Sequence, residues 1–360
     1  MFCVFHHKSF FRFVCIFTLL TCILVACEPS FLPTPQVRIT SLSPTASPTI
    51  TRPIPTNTVL TAPSPAAQSS PTPIVNPYEW LTIDALKSRR YGGGVLQSVG
   101  LMEILPEFTR YRFKYRSEGL DLYGFLDIPT GDGPFPVILL MHGAVDPNEY
   151  VMLTYSTRYA DAFAKAGYLT IHPNLRGYPP SEDGPNEFGV GDTMDVLNLI
   201  ELVKDQSGLK GLLEKADSSR IGLWGHSMGG GVVLRVLLID QEIKAGLLYA
   251  SVNADELFNL AHFGNDGRRE DKINIPDDIV ESISPVDYLE EINVPVSLHH
   301  GEEDEVVPIR WTSELCRKFE QLGKQVECYL YSNQPHTFQD EGDLLFIQRS
   351  IAFFNTALLP

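Results

Sequence analysis

Within Gly225-His226-Ser227-Met228-Gly229 a serine stands between two glycines, directly after the apolar run Ile221 to Trp224 and before a second apolar run of helical length. A serine in a turn this tight is displayed rather than buried. The glycines leave room where strand and helix backbones crowd, and the turn lifts the hydroxyl off the sheet edge. Gly230 and Gly231 permit closer approach still. A serine hydroxyl is a poor nucleophile until a base takes its proton, so the chemistry this spacing offers is acyl transfer through an activated serine. The base is expected to be a histidine, oriented by an acid. Two later stretches supply those types: His300-Gly301-Glu302-Glu303-Asp304-Glu305-Val306-Val307-Pro308 follows one apolar run, and His336 lies in Gln334-Pro335-His336-Thr337-Phe338 after the last. His172, His226, His299 and His300 are rival bases, although each fits a strand-end or elbow position better. Glu302, Glu303 and Glu305 are near enough to compete with Asp304, but otherwise read as a solvated acidic loop. The plain alternative for Ser227 is a capping hydroxyl on a glycine-rich helix start.

The elements that must position these groups show in the hydrophobic pattern. Strict alternation of basic and aromatic residues over 110–116 predicts a half-buried strand, turned by Ser117-Glu118-Gly119 into a second at 120–128. Further strands are expected at 136–141, 168–172, 220–224, 244–250, 294–299 and 326–331, and helices at 155–166, 191–205, 228–240, 308–322 and 342–356. A weaker helical pattern covers 78–90, and Gly92 to Gly94 read as a turn. Such alternation argues an α/β fold with a mainly parallel central sheet and helices on both faces. Ligands in such sheets sit beyond the carboxyl ends of the strands, where the serine, acid and histidine stretches all fall.

The phrases "GPFPVILLMHG", "RIGLWGHSMGGG", "SPVDYLEEINVPVSLHHGEEDEVVP" and "PHTF" make residues 110–356 resemble an α/β-hydrolase of the prolyl-oligopeptidase-like and dienelactone-hydrolase-like group. The order Ser, Asp, His is that of the fold. The resemblance implies Ser227 as nucleophile, His336 as general base and acid, and Asp304 as its orienter. It also implies an oxyanion hole made by the backbone N–H of Met228 and by one from the His142-Gly143-Ala144 loop, Ala144 or Gly143. Arg176, in Asn174-Leu175-Arg176-Gly177-Tyr178, matches the group's RG phrase and is expected to organise loops near the site, with direct substrate contact as the lesser reading.

Composition narrows the alternatives. The 360-residue chain carries a formal net charge of -16 and no long basic run, which argues against nucleic acid as a partner. No Cys/His spacing suited to zinc and no phosphate loop of the GKS or GKT type occurs, and the chemistry calls for no cofactor and no metal. Residues 1–27 read as a signal peptide, with Lys8 and Arg12 ahead of an apolar run. It ends in Leu24-Val25-Ala26-Cys27, which resembles a bacterial lipobox and implies lipidation of Cys27. Residues 28–77 form a Pro/Thr/Ser-rich spacer too poor in apolar surface to fold. A hydrolase domain over 78–360, held outside the cytoplasm on a lipid anchor, follows. Cleavage would leave Cys316 and Cys328 in the body, as a bridge or as two buried thiols.

Between strands 244–250 and 294–299, residues 253–284 form an insertion that mixes apolar side chains with a charged stretch, Arg268 to Lys272. It is expected to be a small cap, with Phe258 and Phe263 shaping the acyl or leaving-group pocket; a surface excursion is the alternative. Only about thirty globular residues precede the first expected strand, leaving no room for a substrate-filtering propeller. The sequence therefore favours an esterase using two-step acyl transfer, over a stand-alone serine peptidase or a binding lipoprotein that merely keeps the fold. A histidine base requires activity to fall below about pH 6–7. For the anchor, globomycin should cause the unprocessed precursor to accumulate in a bacterial host; unchanged gel migration would refute lipid modification at Cys27.

Overall fold

The computed structural model describes residues 77–154, 156–264 and 275–359. The expected signal peptide, Cys27 and the expected spacer up to residue 76 lie outside the described residues, as does the charged stretch Arg268 to Lys272.

One nine-stranded sheet organises the fold. Its strands are β1 (Gln97–Ile104), β2 (Phe108–Ser117), β3 (Leu120–Pro129), β4 (Phe135–Met141), β5 (Leu169–Pro173), β6 (Ala216–His226), β7 (Ala245–Tyr249), β8 (Val296–Gly301) and β9 (Val326–Tyr331). They run in the order β1-β2-β3-β5-β4-β6-β7-β8-β9. The first three are antiparallel, β3 meets β5 antiparallel, and β5 through β9 are parallel. Strands β5, β7 and β8 are buried at every residue, as continuous apolar runs covered on both faces require.

Helices α1 (Ile83–Ser88), α2 (Thr157–Lys165), α3 (Val190–Gln206), α4 (Met228–Ile239), α5 (Glu256–Phe263), α6 (Asp277–Ile283), α7 (Ile309–Gln321) and α8 (Asp340–Leu358) complete the domain. One core joins α3, α4 and α7 to the sheet through residues such as Val196, Leu237 and Phe319. The opposite face packs α2 and α8 through an aromatic cluster that includes Tyr159, Trp224, Phe346 and Phe354. Each fully buried side chain of this size stabilises the fold by about 1.5–3 kcal/mol relative to exposure.

Two expectations need correction. The sheet begins at Gln97, not near residue 110. β1 is exposed at almost every residue and its register with β2 shifts twice, so it has no alternating pattern to read. The insertion is also more regular than its sequence suggested: α5 starts on an N-cap in which the Asp255 side chain accepts from Leu257 N at 2.9 Å, and α6 follows it.

The two body cysteines are bonded to each other. Cys316 on α7 and Cys328 on β9 form a disulfide with their Cα atoms 6.3 Å apart. Closing a loop of this size is worth roughly 2–3 kcal/mol through the unfolded chain. Reduction, or Cys316→Ser with Cys328→Ser, should therefore lower stability by about that amount in a urea titration and leave the turnover number within about twofold, since neither sulfur lines the site.

Candidate active site

Ser227 follows the last residue of β6 and precedes the first of α4, with φ 54° and ψ -116°. Positive φ is costly for a residue with a side chain, and the surroundings impose it. The Ser227 N–H donates to Tyr249 O at 2.8 Å, and its carbonyl accepts from Gly230 N at 2.9 Å and Val252 N at 3.2 Å. A Cβ at 225 would sit 2.3 Å from Gly229 O, and one at 229 would sit 2.3 Å from Met141 O at the end of β4. Glycine at both positions is thus a packing requirement of the turn.

The acid and the histidine arrive from the neighbouring strand ends. Asp304 lies in the loop after β8, with its side chain fully buried. Its Oδ1 accepts from Val306 N and Val307 N, each at 2.8 Å. Its Oδ2 lies 2.8 Å from His336 Nδ1 and 2.9 Å from His300 Nε2. Burial alone would raise the Asp304 carboxyl, but the hydrogen bonds from His300, His336 and Val307 outweigh it and hold the group well below the usual carboxylate range. His336, in the loop between β9 and α8, spends Nδ1 on Asp304, and its Nε2 has no hydrogen bond among the described residues.

Ser227 and His336 line one cavity of about 310 Å³, together with Met228 and Ala144. The N–H groups of Met228 and Ala144 donate to no partner among the described residues. Gly143 is buried and does not line the cavity, while Ala144 is exposed and does.

The rival histidines are placed elsewhere. Burial pushes His172, His226 and His299 down to about 3, so all three stay neutral. His226 Nε2 donates to the His336 carbonyl at 3.0 Å and supports that loop. His300 is pinned by Thr312 Oγ1 at 2.6 Å and by Val307 O at 3.0 Å, and so braces Asp304. Glu302, Glu303 and Glu305 are exposed.

Arg176 is off the cavity. Its guanidinium grips Asp195 with two bonds of 2.7 and 2.6 Å and donates to Pro185 O at 2.5 Å, tying the loop before α3 to the body. Of the two phenylalanines, Phe263 lines the cavity. Phe258 does not: it is half exposed and sits in a separate shallow groove beside Trp311. The cause is helical phase. Glu256, Asn259 and Phe263 share the face of α5 that looks into the cavity, and residue 258 falls on the far side. Phe188, Val252, Arg235, Glu256 and Asn259 are lining residues that the sequence did not reveal. A visible signal did exist for one of them, an arginine inside the otherwise apolar run after the serine.

Fold and site define a class: a serine hydrolase on an α/β-hydrolase frame. The model of the prolyl oligopeptidase family matches residues 153–359, more than half of the chain, and the chain belongs to that family. Among curated proteins it is similar to the uncharacterized peptidase YtmA of Bacillus subtilis, 27% identical over 234 residues that cover 63% of this chain and 86% of the relative. Among solved structures it is similar in fold to the acylaminoacyl peptidase of Pyrococcus horikoshii, with TM-score 0.59 and 23% identity over 71% of this chain. The aligned part spans 42% of that enzyme, less than half its length. It is also similar in fold to an acetyl xylan esterase from Paenibacillus sp. R4, with TM-score 0.56 and 18% identity over 77% of this chain and 92% of the esterase.

Asp304→Asn should lower the turnover number by roughly three to four orders of magnitude while changing KM only a few-fold. The depressed Asp304 carboxyl also links stability to pH. Its contribution is complete above the ordinary carboxylate value of about 4 and is lost as pH falls below it. The stability difference between the parent chain and Asp304→Asn, from urea titrations, should therefore shrink below that pH.

Proposed function

We propose that this chain hydrolyses carboxylic esters by two-step acyl transfer, with Ser227 as nucleophile, His336 as base and acid, and Asp304 as the orienting carboxylate. One observation carries the reading: Ser227, His336 and the two unspent N–H groups of Met228 and Ala144 all meet in one small cavity. His336 Nε2 takes the hydroxyl proton as Ser227 Oγ bonds to the ester carbonyl carbon. The oxyanion that forms accepts from the Met228 and Ala144 amides. Collapse expels the alcohol, which leaves with the proton from His336. Water then enters, loses its proton to His336, and releases the acid by the same route reversed.

The walls favour an ester. Phe188, Val232, Val252 and Phe263 make much of the cavity apolar, and Glu256 is already bonded to Arg235 and Asn259 rather than offered to a substrate amine. The family match and the likeness to YtmA support a second reading, a serine peptidase. The lipobox-like sequence and the Cys316–Cys328 bridge both suit an extracytoplasmic, lipid-anchored enzyme.

The test compares the chain with its Ser227→Ala variant on a short-chain nitrophenyl ester and on aminoacyl nitroanilides. Ester turnover should vanish in the variant, with no anilide cleavage by either protein. Anilide cleavage lost in the variant would make the protein a peptidase, and ester turnover that survives Ser227→Ala would refute the nucleophile.

A further inference from the structure

The cavity is lined by residues of two unlike kinds. Its rim includes the exposed Ala144 and Val306. Three other lining residues, Arg235, Glu256 and Asn259, are at most 3% exposed. A charged pair in that position requires a reason, because removing ions from water is costly unless their hydrogen bonds are satisfied.

The hydrogen bonding is lopsided. The Glu256 carboxylate accepts from Arg235 Nη2 and, at 3.1 Å, from Asn259 Nδ2. The Arg235 guanidinium has five N–H donors. Its Nε is buried without a partner, and Nη1 has no hydrogen bond among the described residues. Among the described residues the guanidinium has donors to spare.

Helix α4 places those donors in the same cavity as the serine. Met228, Gly231, Val232 and Arg235 have the spacing of one helical face, and all four line the cavity. Helical side chains lean towards the N-terminus, so Arg235 reaches back along α4 towards the Ser227 turn. Nη1 stands 3.8 Å from the point a Cβ on Gly231 would occupy and 3.9 Å from that of Gly189, so two glycines keep the space beside it open. Gly231 is about one helical turn, ~5 Å, beyond Met228.

We infer that Arg235 is a specificity residue: it binds an oxygen acceptor, a ketone-type carbonyl or a carboxylate, carried on the acyl part of the substrate. This rests on the serine hydrolase reading above. We place the acceptor on the acyl part because that part stays on Ser227 through the second half of the reaction, whereas the alcohol departs after the first. The spacing suits an acceptor about four or five carbons from the scissile carbonyl, given bond lengths near 1.5 Å.

The experiment measures kcat/KM of the whole chain, Arg235→Lys, and the double variant Arg235→Met with Glu256→Gln. Three para-nitrophenyl esters are used, with spontaneous hydrolysis subtracted: the hexanoate, its analogue with a ketone on the penultimate carbon, and the monoester of glutaric acid. Lysine keeps the charge opposite Glu256 but lacks the second fork of donors, and the double variant leaves no buried charge unpaired. The parent should prefer at least one acceptor-bearing ester over the hexanoate by about tenfold or more, the ketone or the carboxylate according to which is favoured, and in both variants the ratio should fall to within about threefold of one. A parent ratio near one, or a ratio unchanged in both variants, overturns the inference. Ser227→Ala separates the two failures: if it abolishes turnover of all three esters while the parent shows no preference, only the Arg235 assignment falls; if the hexanoate is still cleaved, the hydrolase reading falls with it.

Discussion

The backbone at Ser227 is held in a conformation that costs on the order of 1–3 kcal/mol, and the strands around it are arranged to enforce it. Carbonyl and amide groups from the β7 end and the stretch after it bond both sides of the serine peptide. The end of β4 presses against Gly229 so closely that no side chain fits. With the turn fixed in this way, helix α4 must leave at one angle, its first N–H must face the cavity, and one of its faces becomes a cavity wall. Central strands buried on both sides supply the stiffness this needs, because a sheet free to flex would relax the serine into an ordinary turn.

Some buried charges tie a loop to the frame. Arg176 and Asp195 hold the loop that leads into α3. Asp304 is held by two histidines and two amides, which is nearly all a carboxylate can accept. The difference between Asp304 and Arg235 is informative. The carboxylate is saturated by protein groups and acts through His336, while the guanidinium keeps donors unspent beside the space a substrate would fill.

Much of this was legible from the chain because its signals are local. Glycines flanking a serine between two apolar runs define the turn, and the acidic loop and Pro335-His336 each follow a recognisable strand. What stayed hidden depends on partners far away in sequence. β1 is solvated and bulged, so its pairing with β2 leaves no period in its residues. Phe258 and Phe263 look equivalent until the phase of α5 is known. Arg235 sits in a run so apolar that it reads as core, and its partner Glu256 is brought to it only by the insertion. Two cysteines permit a bridge without requiring one, and the meeting of α7 with the last strand decides the matter.

That bridge has a geometric consequence for the acid and the histidine. Cys316 belongs to the helix that follows the Asp304 loop, and Cys328 to the strand that precedes the His336 loop. β9 is the outermost strand, paired on one side only, and edge strands are where sheets first fray. The sulfurs stitch that margin to the helix behind it, closing a covalent ring over 316–328 from whose two ends the chain runs back to the Asp304 loop and on to the His336 loop. Fraying that began at the outer strand would then have to pull against the helix as well, which shortens the reach of that motion towards the acid and the histidine.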